Sequence, residues 1–202
     1  MNKDKTVVAL CMPSSHSIFT NTAFDMAVLV ATTWSVGVQV HTVNKQLCYL
    51  GPSRSGLVEE ARSINADYMF FLDSDQRVPP LTIVQLLKHR KDIVGATYVR
   101  RTPPFAPITT HDVNGKPLRF GKDKLANVED LPTGCMLISM KVFDKLERPY
   151  FATLQQPGGN GFLGEDTFFC RAAKAAGFRV YCDLELSLKI GHTTVVDKYI
   201  SS

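Results

Sequence analysis

A chain of 202 residues with 45% hydrophobic and 21% charged side chains is long enough to bury one substantial core, which excludes intrinsic disorder and predicts a single domain over residues 1–202. The formal net charge of +4 suits a phosphate-bearing ligand but is too mild by itself to establish nucleic-acid binding. No segment approaches the ~20 apolar residues of a membrane span, and Met1 to Lys5 lead into only a short apolar stretch broken by Pro13, so a cytoplasmic protein is expected.

In chain order, Thr6 to Met12 reads as a strand stopped by Pro13, and Ser14 to Ser17 as a loop entering a helix that runs to about Trp34, whose indole is expected in the core. Val36, Val38 and Val40 alternate as a second strand. Leu57, Ala61 and Ile64 have helical spacing, with Ser53 or Ser55 as N-cap, and feed the apolar strand Tyr68 to Leu72. A helix over Leu81–His89 and a strand over Ile93–Ala96 continue the alternation, which favours a mixed, mostly parallel α/β sheet flanked by helices. No G-x-G-x-x-G follows the first strand and no Walker A sequence occurs, so phosphate must be held by other means.

The second half is less regular. Pro103, Pro104 and Pro107 interrupt it, and Asn114-Gly115 between Ile108–Thr110 and Leu118–Phe120 predicts a hairpin. Pro157-Gly158-Gly159-Asn160-Gly161 reads as a mobile loop ahead of a helix from Gly164-Glu165-Asp166 to about Ala176. Phe178 to Asp183 and Leu184 to Ile190 read as strands, followed by Gly191-His192. The cysteines, Cys11, Cys48, Cys135, Cys170 and Cys182, are odd in number and lack C-x-x-C spacing, which predicts reduced, buried thiols rather than zinc ligands or disulfides.

Two acidic pairs carry the chemistry. Asp73 and Asp75 end the most apolar strand-like run of the chain, where open α/β sheets place their ligands. If strand alternation continued through them, both would point the same way, and two dehydrated carboxylates so placed call for a cation between them. Glu165 and Asp166 stand in the first turn of a helix, where acids also serve simply to complement the helix dipole. A late histidine, His192, could complete a shell suited to manganese or magnesium, leaving positions for diphosphate oxygens.

The segments YMFFLDSD, TGCMLISMKVF and LGEDTFFCRAAKAAGFRVYCD and the late Gly-His, in that order from about Arg54 to His192, resemble the A-type glycosyltransferases. That resemblance implies the Rossmann-like GT-A fold, a Mn2+ or Mg2+ cofactor and a nucleotide-sugar donor, a UDP-sugar being favoured. Asp75 would then ligate the metal, Asp73 would contact metal or ribose, and His192 would be a further metal ligand. Asp166 would be the general base, with Glu165 binding acceptor or sharing that role; inversion is favoured, and retention stays open because retaining members carry similar acids. Pro13, Ser14 and Ser15 would lie near the base, Arg54 near uracil or diphosphate, and Gly134-Cys135 beside the donor sugar. Lys189 or Lys198 would reach the donor phosphates, and Arg100-Arg101 would sit near acceptor or diphosphate, or simply in solvent. The acceptor, a hydroxyl of a saccharide, lipid-linked glycan, protein or modified nucleic-acid base, is left open. A nucleotidyltransferase and a non-catalytic nucleic-acid or carbohydrate-binding module are the alternatives.

Overall fold

The computed structural model describes residues 5–14, 16–46, 49–156, 158–159 and 161–194. Ser15, Cys48, Pro157, Asn160 and Lys198, all named above, lie outside the described residues. The first half forms β1 (Val7–Ser14), α1 (Thr20–Ser35), β2 (Gln39–Gln46), α2 (Leu50–Ser63), β3 (Tyr68–Leu72), β4 (Gln76–Arg77), α3 (Thr82–Lys88) and β5 (Ile93–Gly95). The second half adds β6 (Leu125–Val128), β7 (Cys135–Ser139), α4 (Met140–Phe143), β8 (Leu154–Gln155), β9 (Phe162–Leu163), α5 (Glu165–Ala175), β10 (Val180–Asp183), α6 (Leu184–Ser187) and β11 (Gly191–His192).

Seven strands make the central sheet in the order β2-β1-β3-β7-β5-β10-β6. The strands β1, β2, β3, β5 and β10 point one way and β6 and β7 the other, a mixed and mostly parallel sheet. Alternation along each strand feeds two separate cores. Ala9, Cys11, Met69, Phe71, Met136 and Ile138 face α2, α4 and α5, while Val8, Leu10, Phe70, Leu72, Cys135 and Leu137 face α1, α3 and α6. Both faces are thus covered by helices, as a mostly parallel sheet requires, and the architecture is compatible with a Rossmann-like GT-A fold. From β1 the chain goes to β2 on one side and then to β3 on the other. The crevice at that reversal of strand order, beyond the carboxyl ends of β1 and β3, is where open α/β sheets hold ligands.

Several local expectations are corrected. Pro13 does not end β1, because its missing N–H costs nothing at a position beyond the reach of β3, which pairs only as far as Cys11. The second strand is Gln39–Gln46 rather than Val36–Val40, since Gly37 turns the chain with φ 87°. The helix α2 begins seven residues before Leu57, so Ser53 and Ser55 are interior and Tyr49 is the N-cap. Leu184 to Ile190 is not a strand: Asp183 accepts a hydrogen bond from Leu186 N at 2.8 Å and thereby starts the short helix α6. Trp34 is half exposed and donates its Nε1–H to Val40 O at 3.0 Å instead of filling the core. Near Asn114-Gly115 the chain does turn back, with both Asn114 N and Lys116 N on Asp112 Oδ1, but only an isolated bridge, His111 to Pro117, flanks the turn. Cys11, Cys135, Cys170 and Cys182 are free and buried, and burial pushes each thiol up, which keeps them unreactive. Among the described residues no helix is long and apolar enough to cross a membrane.

Candidate active site

Strand β3 stops at Leu72, and Asp73-Ser74-Asp75 forms a turn closed by Gln76 N donating to Asp73 O at 3.1 Å. The two carboxylates therefore do not share one side by strand alternation. The turn gives them different partners.

Asp73 faces α2 and α5. Its Oδ1 accepts from Arg54 Nη2 at 2.7 Å, and the other arm of the same guanidinium binds Glu165 Oε1. Arg54 is only 2% exposed and occupies a core position of α2, in line with the buried Leu57, Val58 and Ala61. Its guanidinium lies 5.9 Å from the Phe71 ring centroid. Beneath it, Phe71, Phe143, Phe151 and Phe169 pack together, with Phe151 and Phe169 stacked at 4.8 Å. Burial opposes the charge of Arg54, yet the two carboxylates hold its pKa above the ordinary arginine value. An arginine among phenyl rings is tolerable only because both carboxylates meet it.

Asp75 faces the other way. Strand β11 pairs antiparallel with β4, which sets His192 opposite Gln76, and Thr193 N donates to Asp75 O at 2.8 Å. A β-carbon on Gly191 would come within 2.9 Å of Arg77 Cβ, so this ladder needs glycine there. The ladder carries the C-terminal histidine to the acidic turn, leaving His192 Nε2 at 3.4 Å from Asp75 Oδ2. Asp75 is 5% exposed and the His192 side chain 7%.

His192 Nδ1 lies 2.8 Å from Val99 O, an acceptor, so Nδ1 carries the proton. Arg101 Nε, which can only donate, binds His192 Nε2 at 2.9 Å, so Nε2 presents a lone pair. Arg101 also pairs with Asp75 Oδ2 through its Nη2. Asp75 Oδ1 is buried with no hydrogen-bond partner among the described residues.

This chemistry suits a divalent cation. A backbone carbonyl fixes the imidazole tautomer, a lone pair and a carboxylate face each other, and a buried carboxylate oxygen stands without a donor. No group of three His, Cys, Asp or Glu side chains converges on one point among the described residues, so the pair would supply two protein ligands. Magnesium-like ions bound largely by substrate phosphates and water need no more.

Glu165 and Asp166 open α5 behind Gly164, at the positive end of its dipole. Burial, and then the neighbouring Glu165 charge, hold Asp166 above the usual aspartate value. Tyr98, which sequence reasoning passed over, links the two halves of the site. Its ring meets His192 edge-on at 5.2 Å, and burial and then the Asp73 charge push its hydroxyl well above the ordinary phenol range. Gly134 explains its position. A β-carbon there would run into the Tyr98 hydroxyl and come within 2.7 Å of Asp73 Oδ2, so only glycine lets β7 begin beside Asp73.

At the carboxyl ends of β1 and β2 lies a cavity of about 430 Å3, lined by Leu10, Met12, Ser14, His16, Asn44 and Gln46 among others. Asn44 Nδ2 donates to Met12 O at 3.0 Å and to Ser14 Oγ at 2.7 Å, which leaves its carbonyl oxygen to accept. Pro13 sits between these residues on β1. Lys189 is not drawn into the cluster; its ammonium faces Glu185 at 3.8 Å on the surface. Ahead of α5, β8 and β9 pair antiparallel, and Gly158, Gly159 and Gly161, which lie between or beside them in the chain, have positive φ.

No protein-family model matches the chain, and no curated protein matches it either. Among solved structures it is similar to A197 from STIV, with 16% identity over 98% of each chain and a TM-score of 0.60. The fold is shared with that protein. A glycosyltransferase involved in the glycosylation of the major capsid of PBCV-1 also aligns, at 12% identity over 69% of this chain and 62% of that one, but its TM-score of 0.39 is too low to add to the comparison.

Proposed function

We propose that the chain is a metal-dependent glycosyltransferase that moves a sugar from a nucleoside-diphosphate donor, a UDP-sugar being favoured, to an acceptor hydroxyl with inversion. What supports the reading is one arrangement: the facing pair Asp75 and His192 and the partly buried Asp166, its pKa raised, gather around the end of β3, where Asp73 meets α5 through Arg54 and Glu165.

In this reading the cavity at β1 and β2 takes the nucleobase, with Asn44 offering an acceptor and Ser14 its hydroxyl. Asp75 and His192 would hold Mn2+ or Mg2+, which when bound would supply positive charge to stabilise a diphosphate leaving group. Asp73, pinned by Arg54, faces the ribose and donor sugar alongside Gly134. Arg54 is spent on Asp73 and Glu165, so its part is to orient both carboxylates rather than to touch the base or diphosphate. Asp166 takes the proton from the acceptor hydroxyl as it attacks, and its raised pKa makes it a stronger base than a solvated aspartate. Such a base is usually worth about 10²–10⁴-fold in rate.

The test is release of nucleoside diphosphate from a panel of nucleotide sugars offered with mixed saccharide acceptors and Mn2+. Turnover that is lost in Asp166→Asn, with nucleotide binding retained, supports the transferase. Tight nucleotide binding with no turnover of any donor points instead to a binding module.

A further inference from the structure

Arg101 projects from the loop after Tyr98, which is held by a bridge between Val99 and Pro107 and by Arg100 N donating to Ala106 O at 3.0 Å. The Arg101 side chain is 64% exposed, yet its guanidinium reaches two nearly buried groups, Asp75 Oδ2 and His192 Nε2. Those atoms are electron-rich and 3.4 Å apart. Facing lone pairs at that separation require a bridging cation, and the guanidinium supplies one.

We infer that Arg101 is a built-in competitor for the divalent metal: it holds the Asp75–His192 pair together before metal arrives and must leave for metal to bind. This rests on the reading of Asp75 and His192 as metal ligands given above. Asp75 Oδ1 distinguishes the competitor from a permanent substitute. The guanidinium satisfies Oδ2 and leaves Oδ1 buried and unpartnered among the described residues, whereas a metal at the pair could engage both oxygens. The release is local, because a long side chain anchored in an exposed loop can swing into water without disturbing the β4–β11 ladder behind it. Metal affinity is then lowered by the fraction of molecules in which Arg101 has withdrawn, since only that fraction is competent to bind.

Calorimetric titration with Mn2+ alone, without nucleotide, tests this in the wild type and in the Arg101→Ala, Arg101→Gln and Asp75→Asn variants, each first checked for a wild-type melting profile. Removing the guanidinium is expected to tighten Mn2+ binding roughly tenfold in both Arg101 variants, and Asp75→Asn to abolish binding. A merely structural arginine would raise metal affinity only through the loss of its charge, a gain that fades as salt rises, whereas release of a direct competitor persists at high ionic strength. If both Arg101 variants bind Mn2+ no more tightly than the wild type while Asp75→Asn still abolishes binding, the competitor is refuted and the metal site stands. If neither the wild type nor either Arg101 variant binds Mn2+, alone or with any of UDP, GDP, CDP and ADP added, the metal-site reading falls and the competitor with it.

Discussion

Replacing Arg54 with methionine should destabilise the fold more than any other single change at the site. The guanidinium is 2% exposed, lies over Phe71, and binds Asp73 Oδ1 at 2.7 Å and Glu165 through its other arm. Methionine of similar length fills the space but leaves two carboxylates facing each other above an aromatic cluster. Removing one partner of a buried ion pair typically costs about 3–5 kcal/mol. Because Asp73 and Glu165 retain partial access to water, the lower end applies. For a chain of this size each kcal/mol moves the melting temperature by about 2–4 °C, so a fall of roughly 6–12 °C is expected. Calorimetric melts of Arg54→Met, Glu165→Gln and the double variant form a cycle in which the second substitution should recover part of the loss. Arg54→Met melting within about 2 °C of the wild type, or strictly additive single effects, would refute the assignment of the guanidinium as their shared counter-ion.

Three further outcomes follow from the geometry. Asp166 has its folded pKa raised, so its contribution to stability is present below the ordinary aspartate value and lost as pH rises through the raised one. Asp166→Asn keeps an acceptor for Thr167 N and should melt above the wild type at pH 7, with the gap closing on acidification, while turnover drops by about 10²–10⁴-fold. A variant that melts lower at pH 7 would contradict this. Gly134→Ala should cost about 1–3 kcal/mol by overpacking against Tyr98 and Asp73 and should weaken nucleotide binding; unchanged melting and affinity would show that the close approach is not required. Asp183→Ala strips the α6 cap and the acceptor shared by Gln85 Nε2 and His89 Nε2, each at 2.8 Å, and should cost about 1–3 kcal/mol in a denaturant titration.

The alternation of helical and strand periods made the first half legible, because β1, β3 and β5 are continuous apolar runs whose two faces each meet a helix. The short strands β6 and β11 were not, since Leu125–Val128 and Gly191–His192 gain their extended shape only from neighbours distant in sequence. The same limit governs the site. The Asp-x-Asp at a strand end and the acids opening α5 stand out locally, whereas the turn that separates Asp73 from Asp75 depends on its own backbone closure and on Phe19 N donating to Ser74 O. Arg54 carries a signal beyond that of a phosphate contact. An arginine in phase with Leu57, Val58 and Ala61 on one helical stripe points inward, and a buried guanidinium implies acids waiting for it. Tyr98 leaves none, and Arg101 stands out only as half of a basic pair, because their contacts with His192 and Asp75 arise from a loop brought against the β4–β11 ladder.

The most direct measurement is a thermal-shift panel of UDP, GDP, CDP and ADP, each with and without Mn2+, on the wild type and Asp75→Asn. A ligand at about 100 times its Kd adds about 2.7 kcal/mol to the folded state, which for this chain length is roughly 5–10 °C. A shift of that size is expected for one nucleotide, dependent on Mn2+ and lost in Asp75→Asn. No Mn2+-dependent shift with any nucleotide, or an equal shift in Asp75→Asn, would contradict it.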